Sequence, residues 1–72
     1  MISTQQIKTK LAEAINKSEL TQGEIARRIG VKQPQICCYL KGTKMPSLET
    51  LANLCVVLEL DANEILCVTE NR

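Results

Sequence analysis

The sequence contains no histidine, no tryptophan and no phenylalanine, and Tyr39 is its one aromatic residue. Without histidine, the chain cannot form the Ser–His and Cys–His nucleophile pairs or the histidine-based zinc sites of hydrolases. Without a set of aromatic rings, it offers no platform on which the bases of single-stranded nucleic acid could stack. We therefore do not expect an enzyme, and RNA-recognition sheets and oligonucleotide-binding barrels are disfavoured as folds.

The sequence also has little that would place it in a membrane. No uninterrupted apolar run is longer than that from Leu54 to Leu58, whereas a transmembrane helix needs about 20 apolar residues. The first six residues lack the charged start and the apolar stretch of a secretory signal. We therefore expect a cytoplasmic protein with no membrane partner, and in that reducing compartment we expect its four cysteines to be free thiols.

What the sequence does contain is typical of one small globular domain. It has 72 residues, of which 44% are hydrophobic and 24% are charged, and this composition is too apolar for a disordered chain. A chain of this length buries only about 60% of its unfolded surface, so oligomerisation would add to its stability. We expect a single domain that spans residues 1–72.

Positive and negative charges are separated along the chain, although the net charge is only +1. No acidic residue occurs between Glu24 and Glu49, and this segment has a local charge of +5 from Arg27, Arg28, Lys32, Lys41 and Lys44. From Glu49 onward the local charge is −4, from Glu49, Glu59, Asp61, Glu64 and Glu70 against Arg72. A basic middle facing phosphate and an acidic end in solvent would explain this separation, and a chance distribution of surface charge is the alternative.

Apolar spacing and capping residues predict five short helices. A helical stripe predicts a first helix from about residue 4 to residue 17, capped by Ser3 or Thr4, with the apolar members Ile7, Leu11, Ala14 and Ile15. The run Thr21-Gln22-Gly23-Glu24 has the form of a capping box and predicts the start of a second helix, which Gly30 ends in the left-handed conformation. Pro34 is tolerated only in the first turn of a third helix, which runs from about Gln33 to Leu40 and ends near Gly42.

The remaining chain predicts two more helices. A fourth helix begins after Pro46 and Ser47 and is apolar around most of its circumference, through Leu48, Leu51, Ala52, Leu54, Cys55 and Leu58; we expect it to be central. The run Asp61-Ala62-Asn63-Glu64 repeats the capping-box pattern and opens a short fifth helix that carries Ile65 and Leu66. Nothing indicates a strand, so the predicted fold class is all-α.

The second and third helices are joined by so short a turn that they must cross steeply, with a small side chain at the closest approach. Ala26 is expected at that crossing, and Gly30 lets the turn bend. A small core between the two helices is expected from Ile25, Ile29, Val31, Ile36 and Tyr39.

This segment resembles the helix-turn-helix of the lambda-repressor and Cro-like family, the xenobiotic-response-element type of bacterial and phage regulators. The resemblance rests on the run from Leu20 to Val31, continues through Ile36, Tyr39, Lys41-Gly42 and Pro46 to Leu51, and covers about residues 7–66. It implies a compact five-helix DNA-binding domain with the helix-turn-helix at about residues 21–41. The third helix would enter the major groove, and the amino end of the second helix would lie on the sugar-phosphate backbone. The chain departs from the family pattern at Cys37, Cys38 and Leu40.

The resemblance also implies which side chains contact DNA. Base contacts are expected from Gln33, Gln35, Cys38 and Lys44, and phosphate contacts from Gln22, Lys32, Lys41 and Thr43, with Lys44 able to reach phosphates too. A glutamine amide donates and accepts at once, which suits the N6 amino group and N7 of adenine. Gln33 matches a position that often reads bases, and Gln35 lies one residue beyond a second such position, which Pro34 occupies. The alternative is that both glutamines are ordinary solvated residues of a short helix.

Several other residues have simpler interpretations. Arg27 and Arg28 are expected to be solvated or paired with Glu24 rather than bound to DNA. Adjacent cysteines on a helix point about 100° apart and make a poor zinc pair, so we expect no metal and no cofactor at Cys37 and Cys38. Oxidation of Cys38 could block DNA docking, but a small apolar contact with a thymine methyl group is the preferred interpretation.

The sequence therefore predicts a DNA-binding transcription regulator, a repressor that occludes a promoter as a homodimer on a pseudo-palindromic operator. The dimer is expected to form through the fifth helix and the tail, with Ile65, Leu66 and Val68 as the apolar surface. The alternative is an antitoxin-type interaction protein that silences a toxin partner and autoregulates its operon. Such proteins usually carry a toxin-wrapping tail, and only six residues follow Leu66, which favours the regulator.

Overall fold

The structure, a computed structural model, describes residues 1–69. These residues form five α-helices and no β-strand: α1 (Thr4–Lys17), α2 (Gln22–Ile29), α3 (Gln33–Lys41), α4 (Leu48–Val57) and α5 (Ala62–Ile65). The predicted all-α class is confirmed, and the predicted bounds of the first three helices agree with the observed ones to within one residue. Glu70 and Arg72, both counted in the local charge of the C-terminal segment, lie outside the described residues.

Two glycines end α2 and α3 as predicted. Gly30 and Gly42 have φ angles of 77° and 74°, the left-handed conformation that other residues rarely adopt. The amides of Gly30 and Val31 both donate to the carbonyl of Ala26, the second at 3.0 Å. The chain therefore leaves α2 in a closed turn and enters α3 three residues later.

The capping pattern differs from the prediction at α2. The Thr21 hydroxyl accepts a hydrogen bond from the Glu24 amide at 3.1 Å, but the Glu24 carboxylate bonds to Arg27 and Arg28 instead of reaching back to the cap. Two guanidinium groups within one helical turn attract a carboxylate more strongly than one neutral amide does. The complete capping box is at α1, where Ser3 and Gln6 exchange bonds of 3.2 and 2.7 Å.

The cap of α5 is also simpler than the predicted box. The Asp61 carboxylate accepts from the Asn63 amide at 2.9 Å, and Glu64 makes no reciprocal side-chain bond to the cap. The helix is a single turn of four residues, so its position depends on packing rather than on its own hydrogen bonds.

Every helix contributes to one hydrophobic core. Helix α1 packs on α3 and α5, and α2 packs on α3 and α4. The buried core residues are Leu11, Ile15, Ile25, Ala26, Ile36, Tyr39, Leu51, Leu54 and Ile65. No helix within residues 1–69 is both long and apolar enough to cross a bilayer.

Helix α4 is less enclosed than its composition predicted. Leu51 and Leu54 are buried, but Leu48 is 84% exposed and Val56 is 76% exposed, and Ala52 between them is exposed as well. The expectation that α4 is central therefore holds only for the side that carries Leu51 and Leu54. Apolar side chains occupy two sides of α4, and the neighbouring helices of residues 1–69 cover only one of them.

Candidate nucleic-acid interface

The α2–turn–α3 unit is built on a small, buried apolar core. Ile25 and Ile36 are completely buried, one from each helix, and Ala26 and Tyr39 are 3% and 6% exposed. Ile29 and Val31 are half-buried against the same core. Helices 2 and 3 thus form the predicted helix-turn-helix, and the small Ala26 lies buried within it.

The first turn of α3 points out of this core. Gln33, Pro34 and Gln35 are all exposed. Lys32 occupies the N-cap position but makes no side-chain cap hydrogen bond, and Pro34 has no amide proton. The Gln35 amide donates to the Lys32 carbonyl at 2.9 Å. The two glutamine amides that the sequence singled out therefore lie together on one exposed helical turn.

A contact that sequence reasoning missed joins this turn to α2. A Cβ atom placed on Gly23 would lie 3.4 Å from Oε1 of Gln33, so the Gln33 side chain rests against the first turn of α2. Gly23 has no left-handed φ angle that would require glycine. A glycine inside a capping sequence, with no backbone reason to be there, was the one available signal of a close approach.

At the C-terminal end of α3, Thr43 is hydrogen-bonded to Cys38. The Cys38 carbonyl accepts from the Thr43 amide at 3.0 Å and from the Thr43 hydroxyl at 3.3 Å, and the Gly42 amide also donates to it. The Cys38 side chain is half-buried and Thr43 is exposed. Because the Thr43 hydroxyl hydrogen is already used, this hydroxyl would have to release Cys38 before donating to an outside group.

The positive charges of the middle segment divide into two sets. Glu24 pairs with both arginines of α2, with Arg28 Nε 3.0 Å from its carboxylate and Arg27 bonded through two nitrogens. These arginines lower the pKa of the Glu24 carboxyl below its ordinary value of 4.5, Arg27 having the larger effect. The pairing expected for Arg27 and Arg28 is present.

The second set is formed by the lysines around α3. Lys32, Lys41 and Lys44 are exposed, and none makes an ion pair with any of residues 1–69. Gln22, the remaining predicted contact, is half-buried in the first turn of α2. The local charge available to a ligand therefore comes mostly from three lysines that flank the exposed glutamines.

The four cysteines, none of which is in a disulfide, lie in different surroundings. Cys37 and Cys38 are half-buried on α3, whereas Cys67 is 1% exposed beyond the end of α5. Burial, with a smaller effect of Asp61, raises the pKa of the Cys55 thiol. No group of three Cys, Asp or Glu side chains within the described part of the chain is arranged to hold a metal ion.

Comparison with known proteins agrees with this geometry. Residues 11–65 match the helix-turn-helix family, a span that takes in α2, α3 and α4 and most of the chain. No curated protein and no solved structure matches the chain. The chain therefore belongs to the lambda-repressor-like helix-turn-helix family, whose members are DNA-binding regulators of transcription.

Proposed function

We propose that the protein is a sequence-specific repressor that binds double-stranded DNA as a homodimer on a pseudo-palindromic operator in the cytoplasm. The observation that carries this proposal is the exposed first turn of α3, where two glutamine amides lie between lysines that make no ion pair within residues 1–69, on a helix held by a buried apolar core. A rigid helix with a polar outer face of this kind fits the major groove.

Sequence would be read mainly from the first turn of α3. Gln33 and Gln35 each present an amide that can bond the edge of adenine in a bidentate manner. Cys38, one turn further along, offers a small surface to a thymine methyl group, and Lys44 can reach a base edge or a phosphate. The Gln33 amide oxygen lies close enough to Gly23 for an added Cβ there to touch it, so the first turn of α2 limits the directions in which this side chain can reach a base.

Phosphate contacts would position the protein on the duplex. Lys32 and Lys41 flank α3 at its two ends and need to release no partner among residues 1–69 before they bind. Gln22 lies in the first turn of α2, where the helix dipole favours an anion. The Thr43 hydroxyl would exchange its bond to the Cys38 carbonyl for one to a phosphate.

Selection of bound sequences from a random duplex pool, followed by titration of the selected DNA at increasing salt, tests the proposal. We expect a selected motif with two-fold symmetry, and an affinity that falls with salt by a slope of about −0.9 per phosphate contact. Failure to enrich any motif, or an affinity that does not change with salt, would contradict sequence-specific DNA binding. An asymmetric motif bound by one protomer would contradict the homodimer alone.

A further inference from the structure

One face of α4 carries apolar side chains that nothing within residues 1–69 covers. Leu48, Ala52 and Val56 lie four residues apart, and therefore along one ridge of the helix; we call them the α4 stripe. Leu48 and Val56 are 84% and 76% exposed. Single exposed leucines are common on protein surfaces, whereas contiguous exposed apolar patches are features of interaction sites.

The apolar surface that the sequence predicted for the dimer is smaller than expected, because Ile65 belongs to the core. Ile65 is 5% exposed and Leu66 is half-buried against the core, which leaves Val68, 39% exposed, as the one exposed member of that set. In the turn after α5, Cys67 has a φ of 61° and is itself buried.

We propose that the α4 stripe is the contact surface for a second copy of this chain, with the two α4 helices antiparallel across a two-fold axis at Ala52. This inference deepens the proposed function, which requires two copies to present two α3 helices to one operator. In an antiparallel pair, Leu48 packs against the partner's Val56, and Ala52 meets the partner's Ala52. The stripe has its smallest residue in the centre and larger ones at both ends, so it is complementary to itself, as an interface across a two-fold axis must be.

The charges beside the α4 stripe favour the antiparallel orientation of the two helices. Lys44 precedes α4 and Glu49 lies in its first turn, whereas Glu59 and Asp61 follow it, and all four are exposed. Antiparallel packing brings the two following carboxylates of one copy toward the end of the other where Lys44 offsets Glu49. Parallel packing would bring those carboxylates toward each other with no lysine beside them, which is destabilising. The attraction needs no direct ion pair, because charges within about 8 Å still interact at physiological salt, so Lys44 remains able to contact DNA.

The size of the stripe sets the strength of association. Three side chains on each copy form a surface much smaller than the roughly 800 Å² per partner of a stable interface. Free protein therefore self-associates weakly, and two adjacent half-sites on one duplex drive dimerisation by raising the effective concentration. The α4 stripe then contributes cooperativity between half-sites rather than a permanent dimer.

Substitution of the stripe in the free protein provides the first test. We expect the weight-average mass of the parent in sedimentation equilibrium to rise above 8.0 kDa as concentration increases. Leu48→Gln and Val56→Gln should remain at the monomer mass, while the matched control Val68→Gln should associate like the parent. All three side chains are exposed, so thermal melting should be close to that of the parent in each case. Association that survives both stripe substitutions, or that Val68→Gln alone removes, would overturn the proposal.

Thiol crosslinking tests the two-fold axis and detects an interface too weak for sedimentation. Ala52→Cys places one thiol of each copy at the axis, and Ala62→Cys, at an exposed alanine on α5, is the matched control. Under mild oxidation we expect Ala52→Cys to form a dimer at least about tenfold faster, with mass spectrometry locating the disulfide between the two introduced thiols. Combining Leu48→Gln with Ala52→Cys should lower the rate of dimer formation to that of Ala62→Cys. Equal rates for the two variants would overturn the proposal.

Both tests use protein without DNA, so they are independent of the proposed function. A protein that selects no DNA sequence yet crosslinks through Ala52→Cys would support the interface and refute the repressor. A protein that binds a symmetric operator as a dimer, with no loss of cooperativity in Val56→Gln, would support the repressor and refute the interface. Failure of Ala52→Cys to crosslink even on a bound operator also refutes it.

Discussion

The outer faces of α3 and α4 differ in chemistry, although both helices are anchored by side chains buried in the same core. Each helix buries two side chains in the shared core, Ile36 and Tyr39 from α3, and Leu51 and Leu54 from α4. On the other side, the first turn of α3 exposes two glutamine amides, whereas α4 exposes Leu48, Ala52 and Val56. The buried side fixes where a helix lies, and the exposed side decides which partner it suits: a hydrogen-bonding base edge for α3 and an apolar protein surface for α4.

The largest expected effect concerns the two sides of α4. Leu54 is completely buried, so Leu54→Ala should lower the free energy of unfolding by about 2 to 5 kcal/mol through lost burial and the cavity left behind. Val56→Ala on the exposed side should change it by less than about 0.5 kcal/mol. Denaturant unfolding at low protein concentration measures both variants. Similar losses for the two would show that α4 has no uncovered side.

A second pair of variants adds volume at a buried alanine and at an exposed one, and compares the effects on stability. Ala26 is 3% exposed within the α2–α3 core, so Ala26→Leu should destabilise the fold by about 1 to 3 kcal/mol through overpacking. Ala52→Leu adds the same atoms on the exposed side of α4 and should leave the stability of the monomer within about 0.5 kcal/mol of the parent. Thermal melting distinguishes them. A tolerated leucine at position 26 would mean that the two helices do not pack as closely as the structure shows.

Two glycines that flank the α3 surface should respond in opposite directions. Gly23 lies in α2 with an ordinary helical backbone, so Gly23→Ala should raise stability by about 0.5 to 1 kcal/mol. Gly30 has a φ of 77° and open space around it, so Gly30→Ala should cost about 1 to 2 kcal/mol through the backbone alone.

On DNA, Gly23→Ala has a further expected effect. The new methyl group lies 3.4 Å from Oε1 of Gln33, so we expect base discrimination by Gln33 to change although the protein is more stable. Competition binding with operators altered at single positions measures this discrimination. A stabilised variant with unaltered base preference at every operator position would show that the contact does not orient Gln33.

The smallest effect concerns the pairing of Glu24. Its pKa is held below 4.5 by Arg27 first and Arg28 second, so the pairs stabilise the fold above that pH and lose their contribution as pH falls through the lowered pKa. Because the groups are exposed, the change in stability should be small. In an NMR titration, Arg27→Gln should raise the Glu24 pKa more than Arg28→Gln does. The reverse order would mean that Arg28 is the principal partner.

Local signals explain why so much of α1 to α3 could be predicted. A glycine after an apolar stripe fixes a helix end through its own backbone, and a serine or threonine fixes a start through one hydrogen bond. The capping box at Glu24 failed because residues three and four positions away competed for the same carboxylate. That competition is still local, but it depends on rotamers that a pattern of residue types does not encode.

Two features of the candidate sites depend on contacts between helices and could not be predicted from the sequence. Leu48 and Leu51 are the same residue type in the same helix, and only the placement of neighbouring helices makes one exposed and the other buried. The approach of Gln33 to Gly23 likewise requires the crossing of α2 and α3. Periodicity identifies which residues are apolar, but it does not identify which apolar residues a neighbour covers.

The central claim is that the first turn of α3 reads base sequence while the lysines beside it hold the backbone. Binding of the parent, Gln33→Ala and Lys41→Ala to a selected operator and to random duplex tests it most directly. We predict that Gln33→Ala loses about 1 to 3 kcal/mol of discrimination at one base pair in each half-site, whereas Lys41→Ala weakens operator and random DNA alike and lowers the salt slope by about one contact. Equal losses on both DNAs for Gln33→Ala, or a loss of discrimination for Lys41→Ala, would contradict the account.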